Sequence, residues 1–152
     1  MPNIKKILLW PLAFLLSFFI SSSAYAIDPI HSNLFGSAID GYDPVAYFKD
    51  NKAVEGDNDF VHEWNGAKWY FSSEENKQDF IADPEKYAPQ YGGYCAWAVA
   101  QGSAVKTDPE AWHIEDGKLY LNYDKNVQAQ WSQDILGNIK AADAKWPALL
   151  AE

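Results

Sequence analysis

Apolar and polar residues alternate in short bursts along this chain, and dense turn chemistry separates the bursts. Phe60-Val61-His62-Glu63-Trp64 and Ala67-Lys68-Trp69-Tyr70-Phe71 flank Asn65-Gly66, a dipeptide that accepts positive φ at both positions and so predicts a tight hairpin. Trp112-His113-Ile114 and Leu119-Tyr120-Leu121-Asn122-Tyr123 flank Glu115-Asp116-Gly117-Lys118, which predicts a second hairpin with Leu119, Leu121 and Tyr123 on one face. Asp43-Pro44 is an N-cap and first-turn pair, and Val45 and Phe48 then face inward together. Ser72 with Glu75 makes a capping box for a helix to about Ala82, with Phe80 on its buried side. Asp83-Pro84 starts another short turn, and Pro89–Gly93 is a breaker. Tyr94–Gln101 is helix-like and stops at Gly102. Asp124 caps a C-terminal helix carrying Val127, Trp131 and Ile135, and a further helical stretch runs from about Asn138 to Lys145 before Trp146-Pro147. Ile27–Asn33 carries no pattern and reads as a loose opening segment. The expected fold is α+β: a small antiparallel sheet built from two hairpins, with several short helices packed on it.

The first 26 residues follow a different logic. Lys5 and Lys6 precede an apolar run from Ile7 to Ile20, and Ser21–Ala26 ends in a small-x-small pattern. This predicts a secretory signal peptide over residues 1–26, cleaved after Ala26, and a periplasmic or secreted protein. The run is 14 residues, short of the roughly 20 needed to span a bilayer. The chain has no arginine for a twin-arginine signal and no cysteine near the junction for a lipid anchor.

What remains, residues 27–152, has the size of a single domain. Losing Lys5 and Lys6 leaves 10 lysines against 21 acids, a net charge of −11. That surface repels phosphate backbones and anionic lipid, so nucleic acid and, once the signal is cleaved, membrane are excluded as partners. A protein partner of unknown identity or a metal ion is left. The segment also keeps six Trp, eight Tyr and five Phe, enough rings to fill a small core or line a pocket.

Cys95 is the only cysteine, in Tyr91-Gly92-Gly93-Tyr94-Cys95-Ala96. An exported chain with one thiol has no internal disulfide. The sulfur is a core atom, a metal ligand, a redox centre or half of an intermolecular bridge. Placed in the first turn of a helix, its thiolate would be favoured by the positive end of the helix dipole. Gly92-Gly93 permits close approach of a ligand to the backbone, which makes Tyr91, Gly92, Gly93 and Tyr94 candidate ligand-binding residues. Cys95 with His113 or His62, one on each hairpin, is a candidate donor set for copper or zinc. His31 lies in the opening segment and is expected in solvent. Asp43, Asp83 and Asp116 read as caps and turn residues. No Ser-His-Asp pattern, phosphate loop or paired-carboxylate motif is present, so the balance tilts away from an enzyme.

Asp43-Pro44-Val45, the strand ending Trp69-Tyr70-Phe71-Ser72-Ser73, the helix carrying Phe80 and the closing Asp83-Pro84-Glu85-Lys86-Tyr87 together resemble a YHS domain over about residues 40–88. Tyr91–Ala96 and Asp116–Asn122 resemble the C-terminal extension of exported bacterial YHS proteins. Some of those are described as selenoproteins, with selenocysteine at the position matching Cys95. The resemblance implies a YHS/TRASH-like core and a link to metal handling through cysteine ligands. This chain departs at the ligand positions, with Ala46, Ser72 and Asn76 in place of thiolates. Two functions are therefore expected: a binding or redox-accessory module acting through Cys95, or a non-catalytic protein-interaction domain in which Cys95 is only a core residue.

Overall fold

The computed structural model describes residues 26–151. Residues 1–25 of the expected signal peptide lie outside the described residues. No helix among the described residues is long and apolar enough to cross a membrane.

A short helix, α1 (Ala46–Lys49), precedes the first hairpin, β1 (Asp57–Trp64) and β2 (Ala67–Phe71). Two helices follow, α2 (Glu74–Ala82) and α3 (Pro84–Tyr87). A tight 3-10 turn at Gln90–Gly93 leads into α4 (Ala96–Ala100). The second hairpin, β3 (Asp108–Glu115) and β4 (Lys118–Asn122), leads into α5 (Lys125–Trp131) and α6 (Ile135–Ala151). The fold is α+β. Each hairpin forms its own two-stranded antiparallel sheet.

Both hairpins turn where the sequence says they should. Asn65 and Gly66 have φ of 49° and 81°, and Asp116 and Gly117 have 48° and 70°. These are the left-handed pairs that match strand twist in a two-residue loop. Each long strand also slips register, between Asp57 and Val61 and between Asp108 and Trp112.

The core has two centres, and β4 joins them. Leu119 and Leu121 pack with Val45, Tyr47, Trp69, Phe71 and Phe80. Tyr120, on the opposite face of the same strand, packs with Tyr91, Val99 and Trp131. A strand buried on both faces carries both clusters, because successive side chains point opposite ways. The expected face of Leu119, Leu121 and Tyr123 is cut short: β4 ends at Asn122 and Tyr123 is exposed.

Phe80 sits among rings. Its centroid lies 4.9 Å from Trp69, 5.2 Å from Phe71 and 5.7 Å from Trp64. Such pairs contribute about 0.5–1.5 kcal/mol each beyond area burial, so most of the aromatic excess is spent on the core. The helix bearing Phe80 starts one residue later than the capping box predicts. Ser73, not Ser72, accepts the Asn76 amide, and Ser72 is recruited elsewhere. The C-terminal helix runs through Trp146-Pro147 to Ala151, although Pro147 removes one helical donor.

Ile27–Asn33 is not loose. Ile30 is buried, the His31 amide donates to the Gly92 carbonyl at 2.8 Å, and the His31 ring stacks obliquely on Tyr94 with centroids 5.0 Å apart. His31 is half-buried rather than in solvent. Desolvation holds its pKa below the usual imidazole value. Lys106 pulls the same way and Asp40 opposes both.

This gives a pH prediction. Between the lowered folded value and the ordinary value near 6.5, the unfolded chain binds more protons than the native one. Stability therefore rises with pH across that window and is lost as pH falls through it. Urea denaturation at a series of pH values from 7.5 to 5 is expected to show that slope, and His31→Gln to flatten it. Parallel curves for the two proteins would contradict it.

Candidate functional site

Three places could carry function: the sulfur of Cys95, the buried carboxylate of Asp43, and an aromatic groove beside Tyr91.

Cys95 arrives at its position through a strained turn. Tyr91, Gly92 and Gly93 all have positive φ, at 55°, 59° and 83°. The turn delivers Cys95 as the residue preceding α4, with 1% of its surface exposed. Its Sγ points at Asn122 Oδ1, 3.7 Å away, and the same oxygen accepts the Trp97 amide at 3.2 Å. Asn122 is fully buried, and its Nδ2 has no hydrogen-bond partner among the described residues. Burial pushes the Cys95 thiol up, and the nearby N–H groups of Ala98, Tyr123 and Trp97 offset that only in part. The sequence reading places this thiol in the first turn of a helix, open to a partner; the structure places it just before a helix of five residues and buries it.

The histidines are held elsewhere. His62 meets Phe80 edge-on, with centroids 6.5 Å apart. His113 Nε2 lies 3.0 Å from Glu115 Oε2, and its ring packs on Trp131. Among the described residues no group of three or more His, Cys, Asp or Glu is placed to hold a metal ion. The candidate donor set Cys95, His62 and His113 is therefore split among three environments.

Gly92 has a clear reason, and it is internal. A Cβ there would sit 1.9 Å from the Pro29 carbonyl oxygen. The backbone that approaches Gly92 closely is the chain's own opening segment. The Gly93 carbonyl accepts Thr107 Oγ1 at 2.7 Å. Tyr91 donates its hydroxyl to Asp143 Oδ1 at 2.8 Å, and Tyr94 packs on His31 and Trp146. Of these four residues, Tyr91 and Gly92 also border an open groove of about 400 Å³, walled by Trp64, Trp146, Pro29 and Pro89.

Asp43 was legible only as a cap. It is fully buried, and its carboxylate accepts five hydrogen bonds. Oδ1 takes the amides of Val45 and Ala46, at 2.8 and 3.3 Å. Oδ2 takes the Ser72 amide, the Ser72 hydroxyl and Asn76 Nδ2, at 2.8, 2.7 and 2.7 Å. Three of the residues in this network, Ala46, Ser72 and Asn76, are the ones that stand at the ligand positions of the resemblance. The signal that the sequence carries is the joint absence of a thiolate or imidazole at all three positions; their convergence on Asp43 is a property of the fold.

Residues 45–91 match the YHS domain. No curated protein and no solved structure matches the chain.

YHS domains are generally associated with metal binding. In this YHS segment the donor chemistry does not suit a soft metal. Ala46 offers no side-chain ligand, and the Ser72 hydroxyl and the Asn76 amide are both spent as donors to Asp43. A thiophilic cation needs thiolates or imidazoles. Here a carboxylate saturated by protein donors ties α1, β2 and α2 together.

Proposed function

We propose that this protein is an exported, non-catalytic binding module that acts by associating with a protein partner, and that Cys95 is one of its core residues. The observation that carries this reading is the burial of the one thiol, hydrogen-bonded to a buried Asn122, with His113 paired to Glu115 and His62 edge-on to Phe80. A redox thiol must reach its partner and ionise near ambient pH, and burial opposes both. The donor set around Asp43 supports the same reading, since it leaves no thiolate or imidazole at the YHS ligand positions.

The test is a titration of the purified protein with Zn(II) and with Cu(I) in chelator-free buffer, beside Cys95→Ser, His62→Ala and His113→Ala. The expected result is no stoichiometric, tight binding that any of these substitutions removes. Stoichiometric binding lost in Cys95→Ser would overturn the proposal and restore a metal-accessory role.

A further inference from the structure

We infer that the Asn33–Ser37 loop is a preformed docking element, and that it presents Leu34 and Phe35 to an apolar pocket with a basic rim on a partner protein. The inference rests on the reading that this protein works by association, and it adds the surface and the partner's chemistry.

Leu34 is 100% exposed and Phe35 83% exposed. Single exposed apolar residues are ordinary on protein surfaces, but two adjacent large ones at a loop tip form a small patch with no folding benefit. The loop that carries them is pinned rather than free. Asn33 Oδ1 accepts the amides of Phe35 and Ser37 at 2.9 and 3.1 Å. The Asn33 amide donates to Ser37 O at 3.0 Å, and the Gly36 amide to Asn33 O at 2.9 Å. Below the tip, Lys68 of β2 donates its amide to Gly36 O at 2.8 Å and accepts the Ala38 amide at 2.9 Å. Gly36, with φ of +80°, closes the turn.

A loop ordered in advance loses little entropy on binding, so its apolar side chains can contribute most of their burial to affinity. A Leu-Phe pair is large enough to act as a buried anchor in a partner's pocket.

Charge decides what kind of partner. Phe35 borders a shallow hollow with Asp40 and Glu55, and Asp57 and Asp59 follow at the start of β1. Lys68 lies beneath the tip and Lys106 acts on neighbouring His31, but acids outnumber them here, and the chain as a whole carries a net charge of −9. An anionic lipid surface would be repelled, and a second copy of the same acidic face would be too. An apolar pocket rimmed by Lys or Arg complements this tip in both respects.

The experiment places a photoreactive benzoylphenylalanine at position 34, at position 35 or, as a control, at position 136, in the full chain expressed in its own host. Leu136 on α6 is 71% exposed and far from the loop in sequence. Adducts are identified by mass spectrometry. The adducted protein is then purified, and its affinity is measured with the wild type and with Leu34→Ser/Phe35→Ser at low and high salt. The expected result is one protein adduct from 34 and 35 and none from 136. The affinity is expected to fall at least tenfold in the double variant and to weaken with salt. The variant should melt within a few degrees of the wild type, because Leu34 is fully exposed and Phe35 only grazes the fold at the edge of that hollow.

No adduct from 34 or 35, the same adduct from 136, a lipid adduct, an adduct to another copy, or an affinity unchanged in the double variant would each overturn the inference. These outcomes are separate from those of the metal titration. A positive titration defeats the proposed function, whereas a silent loop with a flat titration defeats the docking element alone.

Discussion

Asp43→Ala is expected to bring the protein close to global unfolding. The substitution leaves the Ser72 amide and hydroxyl, the Asn76 carboxamide and the amides of Val45 and Ala46 without their acceptor; the site of the lost carboxylate is fully buried, and only Ser72 at its edge is partly exposed. Each buried donor left unmade costs about 1–3 kcal/mol. Some will find water or each other, so a net loss of about 3–5 kcal/mol is expected, a large part of the ~5–15 kcal/mol that holds a typical domain together. Asp43→Asn keeps the shape and one oxygen, so the caps of Val45 and Ala46 survive. Its new NH2 group faces the donors of Ser72 and Asn76, and a loss of about 2–3 kcal/mol is expected. Urea denaturation with matched slopes measures both. A change below about 1 kcal/mol in Asp43→Ala would mean that the carboxylate is not the tie between α1, β2 and α2.

Gly92→Ala is the second large effect. The added methyl would meet the Pro29 carbonyl at 1.9 Å, and the position has φ of +59°. The obstructing atom is backbone, so no side-chain rotation relieves the clash. A left-handed conformation costs a non-glycine residue roughly 1–2 kcal/mol by itself. Displacing the opening segment also loses the His31–Gly92 hydrogen bond and the burial of Ile30, so a total of about 2–4 kcal/mol is expected. Limited proteolysis should then cut within residues 27–33 in the variant and not in the wild type. Gly117→Ala is the control. Its φ is +70° but no atom lies within 4 Å of the added methyl, so it should cost about 1–2 kcal/mol, the conformational share alone. Equal losses in the two variants would show that the close approach at Gly92 does not matter.

The parts of this molecule that were legible in its sequence are those fixed by neighbours along the chain. Asn65-Gly66 and Asp116-Gly117 set both hairpins, because a two-residue turn admits few backbone shapes. Asp83 and Asp124 cap the helices expected of them. What stayed hidden depends on contacts between distant segments. Nothing local in Ile27–Asn33 announces that Gly92 will take it in, yet the glycine is required by that meeting. The Ser72-Glu75 spacing fits a capping box, but Ser72 is drawn away by Asp43, 29 residues earlier, and Ser73 takes over the cap. The surroundings of Cys95 belong to the same class. Composition predicts a helix start and hence a dipole beside the sulfur, whereas the sulfur's hydrogen-bond partner, Asn122 of β4, lies 27 residues later.

Whether the sulfur of Cys95 meets solvent decides between a core residue and a reactive thiol. The direct measurement is the rate of Cys95 modification by a small alkylating reagent in the native protein at pH 7.5, compared with a free thiol and with the same protein across a urea series. The expected rate is orders of magnitude below that of a free thiol and tracks the fraction unfolded as urea rises. Modification of the native state at the rate of an open thiol, unaffected by stabilising conditions, would contradict the account and return the chemistry to Cys95.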